Sequence, residues 1–140
     1  MAAAITLDDS AARFDPVALL DVDAGSLDAD GRGDLVVDLA RLRARVDAAM
    51  GGAVDVVDGR TVWAYDGARN GPGWMTARAP VGYGTARRDV NLARALRAMP
   101  ATRAAFAAGR IGRDQVDLLV RARTPALAEV FDALEEFLVG

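Results

Sequence analysis

Apolar residues return along this chain with the period of an α-helix, most clearly in its first half. Leu35, Leu39, Leu42, Val46, Ala49, Ala53 and Val56 follow one another at alternating intervals of four and three. That spacing holds one stripe on one side of a helix. It predicts a single long helix over about 33–58. Gly51 and Gly52 fall inside it, and each costs about 1 kcal/mol relative to Ala. The helix is therefore expected to weaken or bend there, with a break as the alternative. The stripe has two uses: packing against other helices of the same fold, or self-association through a Leu35–Val56 seam.

The other helices are announced by their caps. Residues 1–14 read as a loose leader, and Asp15-Pro16 reads as an N-cap followed by proline in the first turn of a short helix to about Asp23. Ala24 to Gly33 reads as a loop, and Gly59 to Gly67 as a connector whose Trp63 and Tyr65 cover the core. Asn70 caps a helix from about Gly71 to Ala79, with Pro72 tolerated in its first turn. After the turn at 80–84, Thr85 caps a helix from Ala86 to Met99. Pro100 stops that helix and opens another to Ala108, which Gly109 ends. Arg113 to Arg123 is helical, with Asp117 and Arg121 as an i,i+4 pair, and Thr124-Pro125 restarts a helix to about Leu138. No segment alternates as a strand does. The expected fold is all-α: a helical bundle of about seven helices in one domain, 15–140. Two units, about 71–99 and 100–123, have a helix–turn–helix outline, the second with Ala104, Phe106, Ile111, Val116, Leu119 and Val120 as its core.

Composition narrows the chemistry. The chain has 140 residues, 52% of them hydrophobic, enough for a core without staples. No stretch has the length and apolarity of a membrane span, and the start lacks the features of a secretory signal, so a cytoplasmic location is expected. With no Cys and no His, disulfides, thiolate chemistry, Ser-His-Asp triads and His-metal sites are excluded. Catalysis would have to run on Asp, Glu or Arg alone. The acidic stretch from Asp21 to Asp30 places the wrong residues at the glycine and glutamate positions of a calcium loop. Glu135-Glu136 has no opposing site to make it an acid–base pair. No catalytic residue, metal or cofactor is expected. All 17 basic residues are Arg, and 17 Asp stand against 3 Glu, a bias that suggests GC-rich, actinobacterial coding.

Charge is unevenly spread. Residues 1–68 carry 6 Arg and 13 acids, residues 69–123 carry 11 Arg and 3 acids, and residues 124–140 carry 4 acids and no Arg. A basic middle between acidic flanks implies an anionic partner or internal charge pairing. At 100° per residue, Arg87, Arg88, Asn91, Arg94 and Arg97 share one side of the 86–99 helix, and Leu92, Ala93, Leu96 and Met99 the other. Asp89 lies toward the apolar side and is expected to pair with an arginine on a neighbour. Such a face can hold phosphates, which requires only charge and reach, or read guanine and adenine edges. Arg110 and Arg113 extend the candidate surface at the edge of the second unit. DNA is the candidate partner. The alternative is a structural or oligomerisation module with no nucleic-acid binding, its Arg face paired with the acidic flanks.

Several runs together resemble a known family. They are Asp66-Gly-Ala-Arg-Asn70, Trp74-Met75, Arg87-Arg88, Leu92-Ala-Arg-Ala-Leu96, Met99-Pro-Ala-Thr102 and Phe106-Ala-Ala-Gly-Arg-Ile111. In this order they resemble the 13E12 repeat family, the actinobacterial domain of unknown function 222, over about residues 30–137. Asn70, Met75 and Gly112 stand where Ser, Leu and a capping Ser are usual. The resemblance implies the N-terminal helical module of an HNH endonuclease-like protein, with this chain the N-terminal part of something longer. It implies no catalysis here, because an HNH site needs histidine as base and metal ligand.

Overall fold

A computed structural model describes residues 16–140. The expected leader and the Asp15 cap lie outside the described residues. Among those described there is no strand, and the fold is an all-α helical bundle. Its helices are α1 (Pro16–Leu20), α2 (Ala29–Gly59), α3 (Val62–Tyr65), α4 (Gly71–Arg78), α5 (Tyr83–Leu96), α6 (Pro100–Ala107), α7 (Arg113–Ala122) and α8 (Ala128–Val139). A single 3-10 turn, Ala24–Ser26, links the first two.

α2 begins a turn earlier than the apolar spacing indicates, because the Asp28 carboxylate accepts the Gly31 amide at 2.8 Å and caps it. It then runs 31 residues without a break. Gly51 and Gly52 do not interrupt it, and the connector after it contains the short α3. α5 starts at Tyr83 with Gly82 as its N-cap, so Thr85 lies inside the first turn and accepts from the Arg88 guanidinium instead of capping. Asn70 caps α4 as expected, accepting the Gly73 amide at 2.8 Å. α8 starts at Ala128, a turn later than the Thr124-Pro125 signal. Tyr65 does not cover the core: it is 88% exposed, while Trp63 is half-buried.

The core has two lobes that share α5. Leu92, Leu96, Met99, Phe106, Val116 and Phe131 join α5 to α6, α7 and α8. Val54, Met75, Ala86, Val90 and Ala93 join α5 to α2 and α4. Of the core expected for the second unit, Phe106 and Val116 are buried, Ile111, Leu119 and Val120 are half-buried, and Ala104 is exposed.

The α2 stripe is divided. Leu35 is buried, Leu39 and Leu42 are half-buried, and Val46, Ala49, Ala53 and Val56 face solvent. The expected packing within the fold therefore holds only for the first part. Beyond it, α5 and α6 approach α2 along a different face, where Ala44 and Val54 are buried and Ala48 and Gly51 half-buried. The alanines of that face leave room for the neighbouring helices, and the more regular apolar stripe is left outside.

Both ends of α6 are fixed, one locally and one across the bundle. Gly109 ends α6 at φ 72°, with its amide donating to the Phe106 carbonyl and the Arg110 amide to that of Ala105. At the other end of α6, the buried Glu135 of α8 accepts the Thr102 amide at 2.7 Å. A carboxylate from another helix thus caps α6, and Glu135 has a structural role.

Candidate functional site

The candidate surface is the outer side of α5 with its neighbours. α5 presents this side because its opposite face is committed to both core lobes. Along it, the five polar residues read from the sequence divide into two groups.

Arg94 and Arg97 turn toward α2. Arg94 forks onto Asp58, donating from Nε to Oδ2 at 2.8 Å and from Nη2 to Oδ1 at 2.6 Å. Arg97 donates from Nε to Asp55 and from Nη2 to Asp58 Oδ2 at 3.2 Å. The Asp58 carboxyl is buried and held below the usual aspartate range, first by the Arg94 hydrogen bonds and then by both guanidinium charges, against the opposing effect of burial. The same contacts raise the affinity of both guanidinium groups for their protons. Two acids near the C-terminus of a helix are unfavourable beside its carbonyl ends, and the two arginines reverse that.

Arg87, Arg88 and Asn91 form the other group. All three are exposed, and neither arginine has an acidic partner among the described residues. Arg88 donates to Thr85 Oγ1 at 3.2 Å.

Arg113 is half-buried rather than at an exposed edge, because it spans Asp89 on α5 at 2.7 Å and Asp117 on its own helix at 3.4 Å. Asp89 thus finds the neighbouring arginine expected of it, while Asp117 pairs with Arg113 rather than Arg121. Arg110 is exposed and donates to the Val139 carbonyl at 3.3 Å. The structure therefore does not gather the six arginines and Asn91 into one free patch. It separates an outward group at the start of α5 from arginines that fasten helices together.

Sequence reasoning missed the acidic side of the α2–α5 junction. The signal was present: Asp55 and Asp58 are three apart, as are Arg94 and Arg97, so each pair lies on one face of its helix. It also missed Asp66, which accepts the Trp74 indole N–H at 2.7 Å and pairs with Arg78 at 3.4 Å. The Arg78 guanidinium lies 5.0 Å from the centre of the Trp74 ring. These contacts give the Asp66–Asn70 and Trp74-Met75 runs a folding role: a loop clasp, a helix cap and a buried methionine.

An apolar hollow of about 420 Å³ opens between α2, α4 and α5, lined by Met50, Val54, Trp74, Val81 and Val90. Its acids, Asp58 and Asp89, are already paired with arginines. No group of three or more His, Cys, Asp or Glu able to hold a metal occurs among the described residues. No described helix is long and apolar enough to cross a membrane.

Fold and surface together define a small helical module built around a central amphipathic helix. The chain belongs to the family described as domain of unknown function (DUF222), which it matches over residues 34–138. No curated protein and no solved structure matches it.

Proposed function

We propose that this chain is a non-catalytic helical module that engages the phosphate backbone of nucleic acid, as the N-terminal part of an HNH endonuclease-like protein in the cytoplasm of an actinobacterium. One observation carries the binding: Arg87, Arg88 and Asn91 stand exposed on α5, and no acid among the described residues pairs with either arginine. Free guanidinium groups on a rigid helix are suited to phosphate oxygens. Arg94 and Arg97, each already held by carboxylates, gain less from a phosphate and contribute mainly by placing α5. The absence of His and Cys supports a module that delivers rather than cuts.

Fluorescence anisotropy with duplex DNA at two salt concentrations tests this. Binding should fall steeply with salt. The paired change Arg87→Ser and Arg88→Ser should weaken binding on any sequence and reduce the salt slope by about 2. Unaltered affinity in that variant, with helicity retained by circular dichroism, would remove this edge of α5 from the site.

A second reading is a structural module that self-associates through the Leu35–Val56 seam without nucleic acid. The exposure of Val46, Ala49, Ala53 and Val56 favours it. Sedimentation of a Val46→Glu variant tests that seam, and a purely monomeric parent chain would exclude it.

A further inference from the structure

We propose that the outer face of α8 is a self-association surface on which a second copy of this chain docks through its own α8, antiparallel about a two-fold axis. The inference is independent of nucleic-acid binding.

α8 is apolar on two sides. Phe131, Glu135 and Val139 form the side buried against the rest of the bundle. Leu127, Val130, Leu134 and Phe137, at intervals of three, four and three, form a second stripe with Leu138 beside it. None of these five is covered by the described residues, and Phe137 is 84% exposed. At 100° per residue the stripe lies about 120° around the helix from the core side. Glu129, Asp132 and Glu136 occupy the remaining third. A helix apolar on two of its three sides is suited to a place between two packed layers, and the described residues supply one.

The size fits a weak but specific contact. Five large apolar side chains, most of them about half exposed or more, leave on the order of 500 Å² of surface, within the range of the largest patches on monomeric proteins. Two copies together would bury about 1,000 Å², at the lower limit of a specific interface.

Charge selects the occupant. The stripe itself is uncharged, so a two-fold pairing sets apolar against apolar while the acids of both copies point away from the axis. Ala126 and Ala133 border one edge and let the helix axes approach. A helix that lies on an anionic membrane carries Lys or Arg on its polar face, and the polar face of α8 carries Glu129, Asp132 and Glu136 instead. The exposed part of α2 is the weaker competitor. It offers Val46, Met50 and Val56 separated by alanines, with Arg43 and Arg45 close by.

The test is sedimentation velocity on the full chain over roughly 1–500 µM, since an interface of this size should be weaker than about 1 µM. The parent chain should pass from monomer to dimer. Leu134→Glu and Phe137→Glu should each raise the dissociation constant at least about tenfold with helicity unchanged, since each places a charge in a desolvated apolar contact. Val46→Glu should leave it unaltered. Because the chain has no native cysteine, Leu134→Cys should oxidise to a single cross-linked dimer near the axis. A monomer throughout the range would overturn the proposal. So would a dimer indifferent to both α8 changes, or one lost only with Val46→Glu.

Discussion

Arg94 grips Asp58 with both arms of its guanidinium fork, and this pair joins the last turn of α5 to the last turn of α2. The geometry is bidentate, the strong form of such a contact. The carboxylate side chain is 6% exposed and the arginine side chain 55% exposed, so the two partners differ in what they lose when separated. Asp58→Ala releases two arginines that can return to water. It should lower stability by about 1–3 kcal/mol, less than the 3–5 kcal/mol of breaking a fully buried pair. Arg94→Ala leaves the buried Asp58 carboxylate with only the 3.2 Å bond from Arg97 and should cost at least as much as Asp58→Ala. Urea unfolding checks both through a lower midpoint with unchanged slope.

Two arginine–aspartate pairs, one at this junction and one between the end of α7 and α8, set the acid limit of the fold. Asp58 and Asp132 both have pKa values lowered in the folded state, each first by the hydrogen bonds of its arginine partner, Arg94 and Arg123. A carboxyl with a depressed folded pKa stabilises the protein above its unfolded value, near 3.9 for Asp. That contribution is lost as pH falls through the folded value. Without histidine, no side chain of ordinary pKa titrates between about pH 5 and 8. Thermal stability should therefore be nearly flat over that window and fall below about pH 4. Asp58→Asn should start less stable and show a shallower acid decline. An equally steep decline in that variant would mean the acid sensitivity lies elsewhere.

Glu135 supplies a cap that no local sequence rule reveals. It accepts the Thr102 amide at the start of α6 from a distance of 33 residues along the chain. Glu135→Ala leaves a buried donor unsatisfied and should cost about 1–3 kcal/mol. Glu135→Gln keeps an acceptor of the same shape and loses only the charge, so its loss should be smaller. Equal losses in the two variants would mean the charge, not the acceptor, is what α6 requires. Amide exchange at Thr102 would give the same ranking residue by residue.

Gly109 holds φ at 72°, and a Cβ there would stand 3.0 Å from Arg45 Cγ on α2. The left-handed conformation costs an ordinary residue about 1–2 kcal/mol. Arg45 is exposed, so its side chain can move aside. Gly109→Ala should therefore lose about the backbone cost, and Gly109→Asn less, because Asn tolerates this region better. A chemical denaturation series on the three proteins separates the backbone effect from the contact.

How much of this was legible in the sequence follows from the range of the interactions. Asn70, Pro100 and Gly109 act within a few residues of themselves, and the helix ends they mark are found in the structure. The two faces of α5 were equally legible, since its apolar residues have a helical period. Tertiary partners were not. The Leu35–Val56 stripe identified a helix but not the face that packs, because α5 and α6 lie against the side of Ala44, Ala48 and Val54. The basic helix showed five outward polar residues, and only the fold reveals that Arg94 and Arg97 answer Asp58 and Asp55. A cationic face read from one helix counts charge without its partners, and here the partners stand roughly 40 residues away, a separation the pattern does not encode.

The two glycines inside α2 give the last prediction, and its sign is the opposite of the others. Gly51 and Gly52 lie in an unbroken helix, and a Cβ built on either meets nothing within 4 Å. Neither is needed for a turn, since both have helical neighbours on each side. Replacing Gly by Ala in such a place removes backbone freedom from the unfolded chain and adds no clash. Gly51→Ala and Gly52→Ala should each stabilise the fold by about 0.4–1 kcal/mol. The double variant should show close to the sum, less whatever coupling two adjacent sites have. Thermal unfolding of the three variants decides this. A loss of stability at Gly51 with a gain at Gly52 would show that α6 sits closer to α2 in solution, since Gly51 is the more buried of the two.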